Sequence, residues 1–260
     1  MTRSNQPPRS PSVRHRTAAR VRRSPLASLR LIAACALAAS AGAFPAAAAG
    51  ARVQRTQRLA LLLSGHAVHG APRAGSPVLL AVAAHRPITG ESTRLPVLGR
   101  STGAEGIAWL HVMLPGRPNG SSGWIAQNGT RALTTPWHLT VDLKARLVRV
   151  YRDGRVVKSF RAVVGNPATP TPTGSFFVEE TLKMYAGELG GPFALALSAR
   201  SDVLQEFEGG PGQIAMHGRD GLGGTLGQAE SHGCMRVSTA NLDWLAARIG
   251  PGTPATIYSG

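Results

Sequence analysis

The sequence predicts a mostly β protein with one main helix near its C-terminus, and three observations carry that expectation. The chain holds 31 Gly and 19 Pro among 260 residues, a density of chain-breaking residues that favours strands and turns over long helices. Its apolar residues fall in short runs between those breakers. Helical spacing is clear only after Cys234, where Leu242, Leu245, Ala246 and Ile249 share one face. Length allows one to two domains with a substantial core. Two cysteines exclude a disulfide framework, so stability must come from packing.

Residues 1–49 contain eight Arg, no Lys and no acid; they turn apolar from Leu31 to Phe44 and end in small residues at Ala47–Ala49. A basic start, a short apolar stretch and a small-residue end predict an export signal. The apolar run is shorter than the roughly 20 residues a membrane-spanning helix needs. An uncleaved anchor or a disordered tail is the alternative. Arg22-Arg23 resembles a twin-arginine element and Ile32–Cys35 a lipobox, but Pro25 and Arg30 interrupt these patterns, so the export route stays open. Export with cleavage near Ala49 would leave Cys234 as the single cysteine, a thiol that is either buried filler or chemistry.

Residues 50–135 form the second segment. The apolar runs Leu59–Leu63, Val78–Ala83, Leu95–Leu98, Trp109–Leu114 and Gly123–Ala126 predict a small β barrel or sandwich, with Trp109 and Trp124 in its core. The Trp109 strand followed by Gly123-Trp124 resembles the end of a bacterial SH3-like barrel, and an immunoglobulin-like module is the alternative. Thr134-Thr135-Pro136 marks the boundary.

Residues 136–260 form the third. His138–Leu143 reads as a strand, and Leu147–Tyr151 and Arg155–Phe160 read as a hairpin around Asp153-Gly154, which supplies the positive φ of a tight turn. Asn166–Gly174, with three prolines, is a loop, followed by a strand at Ser175–Glu179. A short strand, Gln213–Met216, leads into His217. Ser238 or Thr239 caps a helix that ends at Gly250-Pro251, and Thr256–Tyr258 closes as a strand.

The net charge of +16 divides unevenly: +8 in residues 1–49, +7 in 50–135 (nine Arg, two Glu) and +1 in 136–260 (twelve basic, eleven acidic). The first share points to export rather than to nucleic acid. The second predicts that the middle module binds an anionic partner.

The chemistry is concentrated in a short stretch. Cys234 lies two residues from His232 and seventeen from His217. A thiolate is the reactive form of cysteine, and a nearby imidazole can generate it. Gly233 lets the backbone turn tightly beside a substrate carbonyl, and main-chain N–H groups of such a turn can form an oxyanion hole. A zinc site built from His217, His232 and Cys234 is the competing reading; no partnered carboxylate spacing accompanies it, so no metal is expected. His66, His69, His85, His111 and His138 have no partner pattern, and Asp220 and Glu230 only flank the loop.

Ser231-His-Gly-Cys234-Met-Arg236, preceded by Ile214-Ala-Met-His217-Gly218, resembles the signature of the L,D-transpeptidase catalytic domain of the YkuD type. Val141–Leu143, Val148–Gly154 and Thr171-Pro-Thr-Gly174-Ser-Phe176 are similar to the opening strands and the Thr-Pro-x-Gly-x-Phe element of that family, so the likeness covers roughly 137–259. It implies a β-sandwich catalytic domain with the helix directly after the catalytic cysteine. Cys234 would attack the carbonyl of the third stem residue of peptidoglycan, and His217, oriented through the carbonyl of Gly218, would be the general base. His232, Gly233 and Cys234 would line the oxyanion hole. Arg236 would clamp a substrate carboxylate, with a structural ion pair as the alternative, and Ser231 and Arg219 join it as candidate substrate contacts. The thioester would pass to the amine of a neighbouring stem, giving a 3→3 cross-link in an exported acyltransferase of cell-wall organisation and cell shape. The donor and acceptor stems are its expected partners, and carbapenem-type β-lactams its expected inhibitors. An L,D-carboxypeptidase using water and a non-catalytic peptidoglycan-binding protein are the alternatives.

Overall fold

The computed structural model describes residues 53–260 except 186 and 208. The expected export signal therefore lies outside the described residues. From 57 onward the chain forms two large sheets and one helix. No helix among the described residues is long and apolar enough to cross a membrane.

The first sheet holds seven strands: β1 (Gln57–Leu62), β2 (His66–His69), β3 (Val78–Val82), β4 (Arg94–Thr102), β5 (Ala108–Met113), β6 (Ser122–Ala126) and β7 (Thr130–Thr135), in the order β3-β2-β6-β5-β4-β1-β7. Five of these coincide with the predicted apolar runs. β2 and β7 do not: β2 is four residues long, and β7 is rich in threonine and pairs along its length with β1. Leu62, Val68, Leu95, Val112 and Ile125 form the core of this sheet.

The chain passes to the second sheet at Pro136. Its strands are β8 (Trp137–Asp142), β9 (Leu147–Arg152), β10 (Arg155–Arg161), β12 (Gly174–Lys183), β13 (Phe193–Arg200), β14 (Gln213–His217), β16 (Met235–Arg236) and β17 (Pro254–Tyr258), in the order β10-β9-β8-β17-β12-β13-β14-β16. β11 (Val164–Gly165) and β15 (Ala229–Ser231) pair separately in parallel. The predicted hairpin is present, with Asp153 and Gly154 both at positive φ.

β13 went unpredicted. Its sequence, Phe-Ala-Leu-Ala-Leu-Ser-Ala-Arg, is built from Ala and Leu, which carry little β propensity. Burial decides instead, since Leu195 through Arg200 are all buried between β12 and β14. The helix α1 (Thr239–Ala246) is shorter than predicted. Ser238 caps it, its side chain accepting from Asn241 N, and Leu242, Leu245 and Ile249 join the second core.

β12 faces both cores. Successive strand side chains point to opposite faces, so Phe176 and Val178 enter the second core while Phe177 packs with the first. On the same side as Phe177, Glu179 is fully buried and pairs with Arg86 from the first segment and with Arg200 at 2.9 Å. A buried carboxylate persists only when it is well paired, so the two segments share a charged, desolvated contact as well as an apolar one.

Candidate active site

Three elements place the reactive side chains. β14 shows alternating burial, with Ile214 and Met216 inward and Gln213, Ala215 and His217 on the opposite face. β16 runs parallel to β14, pairing Met235 with Met216 and Arg236 with His217. This register sets Cys234 beside Ala215. Its Sγ accepts from Ala215 N at 3.4 Å and lies 3.8 Å from Gln213 O. The thiol therefore sits against the β14 backbone between Gln213 and Ala215. Cys234, His217, His232 and Arg236 all line one cavity of about 640 Å³.

His217 is oriented by its own backbone neighbour. Its Nδ1 lies 2.8 Å from Gly218 O. A carbonyl can only accept, so Nδ1 carries the proton and Nε2 keeps its lone pair. Burial pushes the imidazole pKa below 6.5; the bond to Gly218 opposes that shift, and the Arg236 charge adds to it. The ring is thus neutral near pH 7. Gly218 is required by close approach: a Cβ there would lie 2.0 Å from Gly191 O, and its N–H donates to Gly190 O at 2.7 Å. That contact draws the Gly190-Gly191 backbone against the histidine.

The turn from Ser231 to Cys234 is fixed from below. Gly233 sits at φ 117, and a Cβ there would come within 3.1 Å of Ile214 Cδ1. Asn166 donates to Ser231 O through its backbone N at 2.9 Å and its Nδ2 at 3.0 Å. Thr171 Oγ1 donates to Gly233 O at 2.7 Å and accepts from Gly165 N at 2.9 Å. The three-proline loop is thus a buttress for the cysteine turn. The sequence marked Thr171 only as part of a motif and gave no signal for Asn166.

The other expected site residues are placed differently from one another. His232 is exposed, with its ring 5.8 Å from that of Phe207. Ser231 is fully buried, with its hydroxyl donating to Cys234 O at 2.5 Å and accepting from Gly233 N at 3.2 Å. It supports the turn rather than facing a substrate, and it turns the Gly233 N–H inward, away from an oxyanion. Arg219 folds back on its own loop, Nη1 donating to Gly224 O at 2.6 Å. Arg236 Nη1 donates to Leu222 O at 3.0 Å, while its buried Nε has no hydrogen-bond partner among the described residues. No carboxylate pairs with it among the described residues. No group of three or more His, Cys, Asp or Glu among the described residues is arranged to hold a metal ion. Sequence reasoning missed the apolar walls of the cavity, which include Met184, Leu189, Leu204 and Phe207 and reach back to Ile88.

The model of the L,D-transpeptidase catalytic domain, YkuD, matches residues 136–257. The match covers just under half of the chain. The YkuD protein of Bacillus subtilis (strain 168) is 28% identical over 124 residues, covering 48% of this chain and 67% of that protein. L,D-transpeptidase 1 of Mycobacterium tuberculosis (strain ATCC 25618 / H37Rv) is also 28% identical over 124 residues, covering 45% of this chain and 48% of its own length. Among solved structures, the Enterococcus faecium L,D-transpeptidase catalytic domain acylated by ertapenem shares 26% identity. That match covers 47% of this chain and 96% of that one, with a TM-score of 0.34. The chain thus spans about half the length of the mycobacterial relative. The YkuD domain holds every reactive side chain described above; the seven-stranded sheet lies outside the family match.

Proposed function

We propose that the protein is a cysteine-dependent L,D-transpeptidase that joins peptidoglycan stems. One observation carries this reading. The Cys234 thiol shares one cavity with a neutral His217, whose Nε2 lone pair can take the thiol proton.

His217 Nε2 accepts the proton of Cys234, and the thiolate attacks the carbonyl joining the third stem residue to D-alanine. The tetrahedral oxyanion is held by main-chain N–H groups of the turn at His232 and Cys234. As the C–N bond breaks, the imidazolium returns its proton to the leaving amine of D-alanine, leaving a thioester. An amine of a neighbouring stem then attacks the thioester, His217 takes its proton, and the thiol is regenerated as the new amide forms. The acyl bond keeps its activation through the thioester, so neither nucleotide nor metal enters the balance. Arg236, with an unpartnered buried donor at the cavity wall, clamps a stem carboxylate. The family relative acylated by ertapenem supports carbapenems as inhibitors here.

The Arg-rich, acid-free opening supports work outside the cytoplasm, and the +7 segment supports attachment to anionic wall polymers, which salt should weaken. Mass spectrometry of a disaccharide tetrapeptide incubated with the protein tests the main reading. A cross-linked dimer with released D-alanine is expected. Tripeptide alone would mean a carboxypeptidase, and an untouched substrate a binding protein. Cys234→Ala should abolish carbapenem acylation completely, and an acylated variant would remove Cys234 as the nucleophile.

A further inference from the structure

The cavity that holds Cys234 is not built from the catalytic domain alone. Ile88, from the first segment, lines it together with Met184, Leu189 and Leu222. Ile88 is 68% exposed, so most of its apolar surface is open for a further contact. The loop around it is anything but loose. Arg86 N donates to Glu91 O at 2.9 Å and Gly90 N to Arg86 O at 3.0 Å, which closes the loop tip. Its polar residues then reach the catalytic domain. Arg86 pairs with buried Glu179, Thr89 Oγ1 donates to Glu180 Oε2 at 2.9 Å, and Glu91 Oε2 accepts from Thr181 N at 2.9 Å. Ile88 is the aliphatic member of this tethered tip, and it faces the cavity.

A second loop of the same segment reaches a different wall. The chain carrying Leu204, Phe207 and Pro211 lines the cavity, and Phe207 is the residue beside His232. One guanidinium gathers that chain. Arg117 donates to Ser201 O at 2.7 Å, to Leu204 O at 3.1 Å and to Pro211 O at 2.8 Å. Asn119 fixes its root, donating to Arg200 O at 2.7 Å and accepting from Arg200 N at 2.8 Å. A planar fork with five donors can hold three carbonyls in fixed directions; a lysine ammonium cannot reproduce that geometry.

We propose that the N-terminal β segment is a working part of the substrate cleft, with Ile88 as a specificity-determining contact for the aliphatic portion of a stem peptide and Arg117 as a positioning residue for the Leu204–Phe207 wall. This rests on the peptidoglycan reading above. Neither residue touches the reacting atoms, so both act on substrate binding more than on the chemical step.

The test uses the intact protein, its Ile88→Ala, Arg117→Ala and Arg117→Lys variants, and a disaccharide tetrapeptide as substrate. Ile88→Ala should raise KM about tenfold with kcat within about twofold, since loss of most of one aliphatic contact corresponds to about that factor. Arg117→Ala should raise KM similarly and speed amide exchange at Leu204 and Phe207, while Ile214 and Met216 stay protected; Arg117→Lys should recover only part. Alkylation of Cys234 by iodoacetamide should proceed at the parent rate in all three, which separates a lost wall from a lost fold. Parent-like KM in both alanine variants overturns the proposal. If the parent protein does not turn the tetrapeptide over, the peptidoglycan reading fails as catalysis, and binding of the same tetrapeptide decides this one. A Kd about tenfold weaker in Ile88→Ala sustains it; an equal Kd, or no binding by the parent, sinks it.

Discussion

The supports of the cysteine turn come from residues 165–171 and from Ser231, all within the catalytic domain, while two walls of the same cavity involve residues 86–119 of the preceding sheet. The turn is tied through carbonyls and hydroxyls in a buried setting, where each lost bond leaves an unsatisfied group. The walls are apolar side chains carried on loops and tethered by charged and amide side chains. This contrast separates two demands. Bond making needs atoms fixed to fractions of an ångström, which local, buried hydrogen bonds provide. Recognition of a substrate needs surface, which a second sheet can supply without disturbing the chemistry.

The largest expected effect breaks the inner support. Thr171→Val keeps the volume but removes the bonds to the buried Gly233 O and the part-buried Gly165 N. We expect carbapenem acylation, followed by intact-protein mass spectrometry, to slow about 10- to 100-fold, with a stability loss of about 1–3 kcal/mol. An unchanged acylation rate would show that the three-proline loop is no buttress.

A smaller effect concerns the base. The Arg236 charge helps hold the His217 pKa below its ordinary 6.5, so the parent protein should keep acylating as pH falls somewhat below 6.5. In Arg236→Ala that contribution is gone, and the acid limb of the rate profile should move to higher pH. A limb that stays in place would mean that burial alone sets the imidazole. The same variant should bind stem carboxylates more weakly.

The smallest effect lies away from the cavity and serves as its control. Burial lowers His138 from 6.5 to about 4, with Nε2 2.9 Å from Thr256 Oγ1. His138 is neutral in the fold and takes a proton on unfolding below pH 6.5. Its contribution is therefore present above that pH and lost as pH falls from 6.5 to about 4. His138→Gln should flatten the dependence of Tm on pH across that window while leaving acylation unchanged. An equally steep Tm profile would place the acid sensitivity elsewhere.

Much of this was legible in the chain. The His217–Cys234 stretch, the Asp153-Gly154 hairpin and the Ser238 cap each rest on local rules, because spacing, positive φ and capping are properties of neighbours in sequence. What stayed hidden required partners far away. β13 reads as a weak strand until β12 and β14 cover it. Glu179 and Glu180 look like surface acids until burial raises the Glu179 pKa against the pull of Arg200 and Arg86. Ser231 sits inside the motif as a candidate substrate contact, and only its burial shows that its hydroxyl holds the turn.

The sequence by itself determined the strand-rich class, the helix after Cys234 and the candidate residues of the site, since composition, periodicity and a short motif are read within a few positions. Tertiary structure decided that the thiol lies against the β14 backbone, which nitrogen of His217 keeps its lone pair, and that Ile88 lines the same cavity while Arg117 ties the Leu204 wall. Those outcomes depend on register, burial and contacts between segments that the order of residues separates.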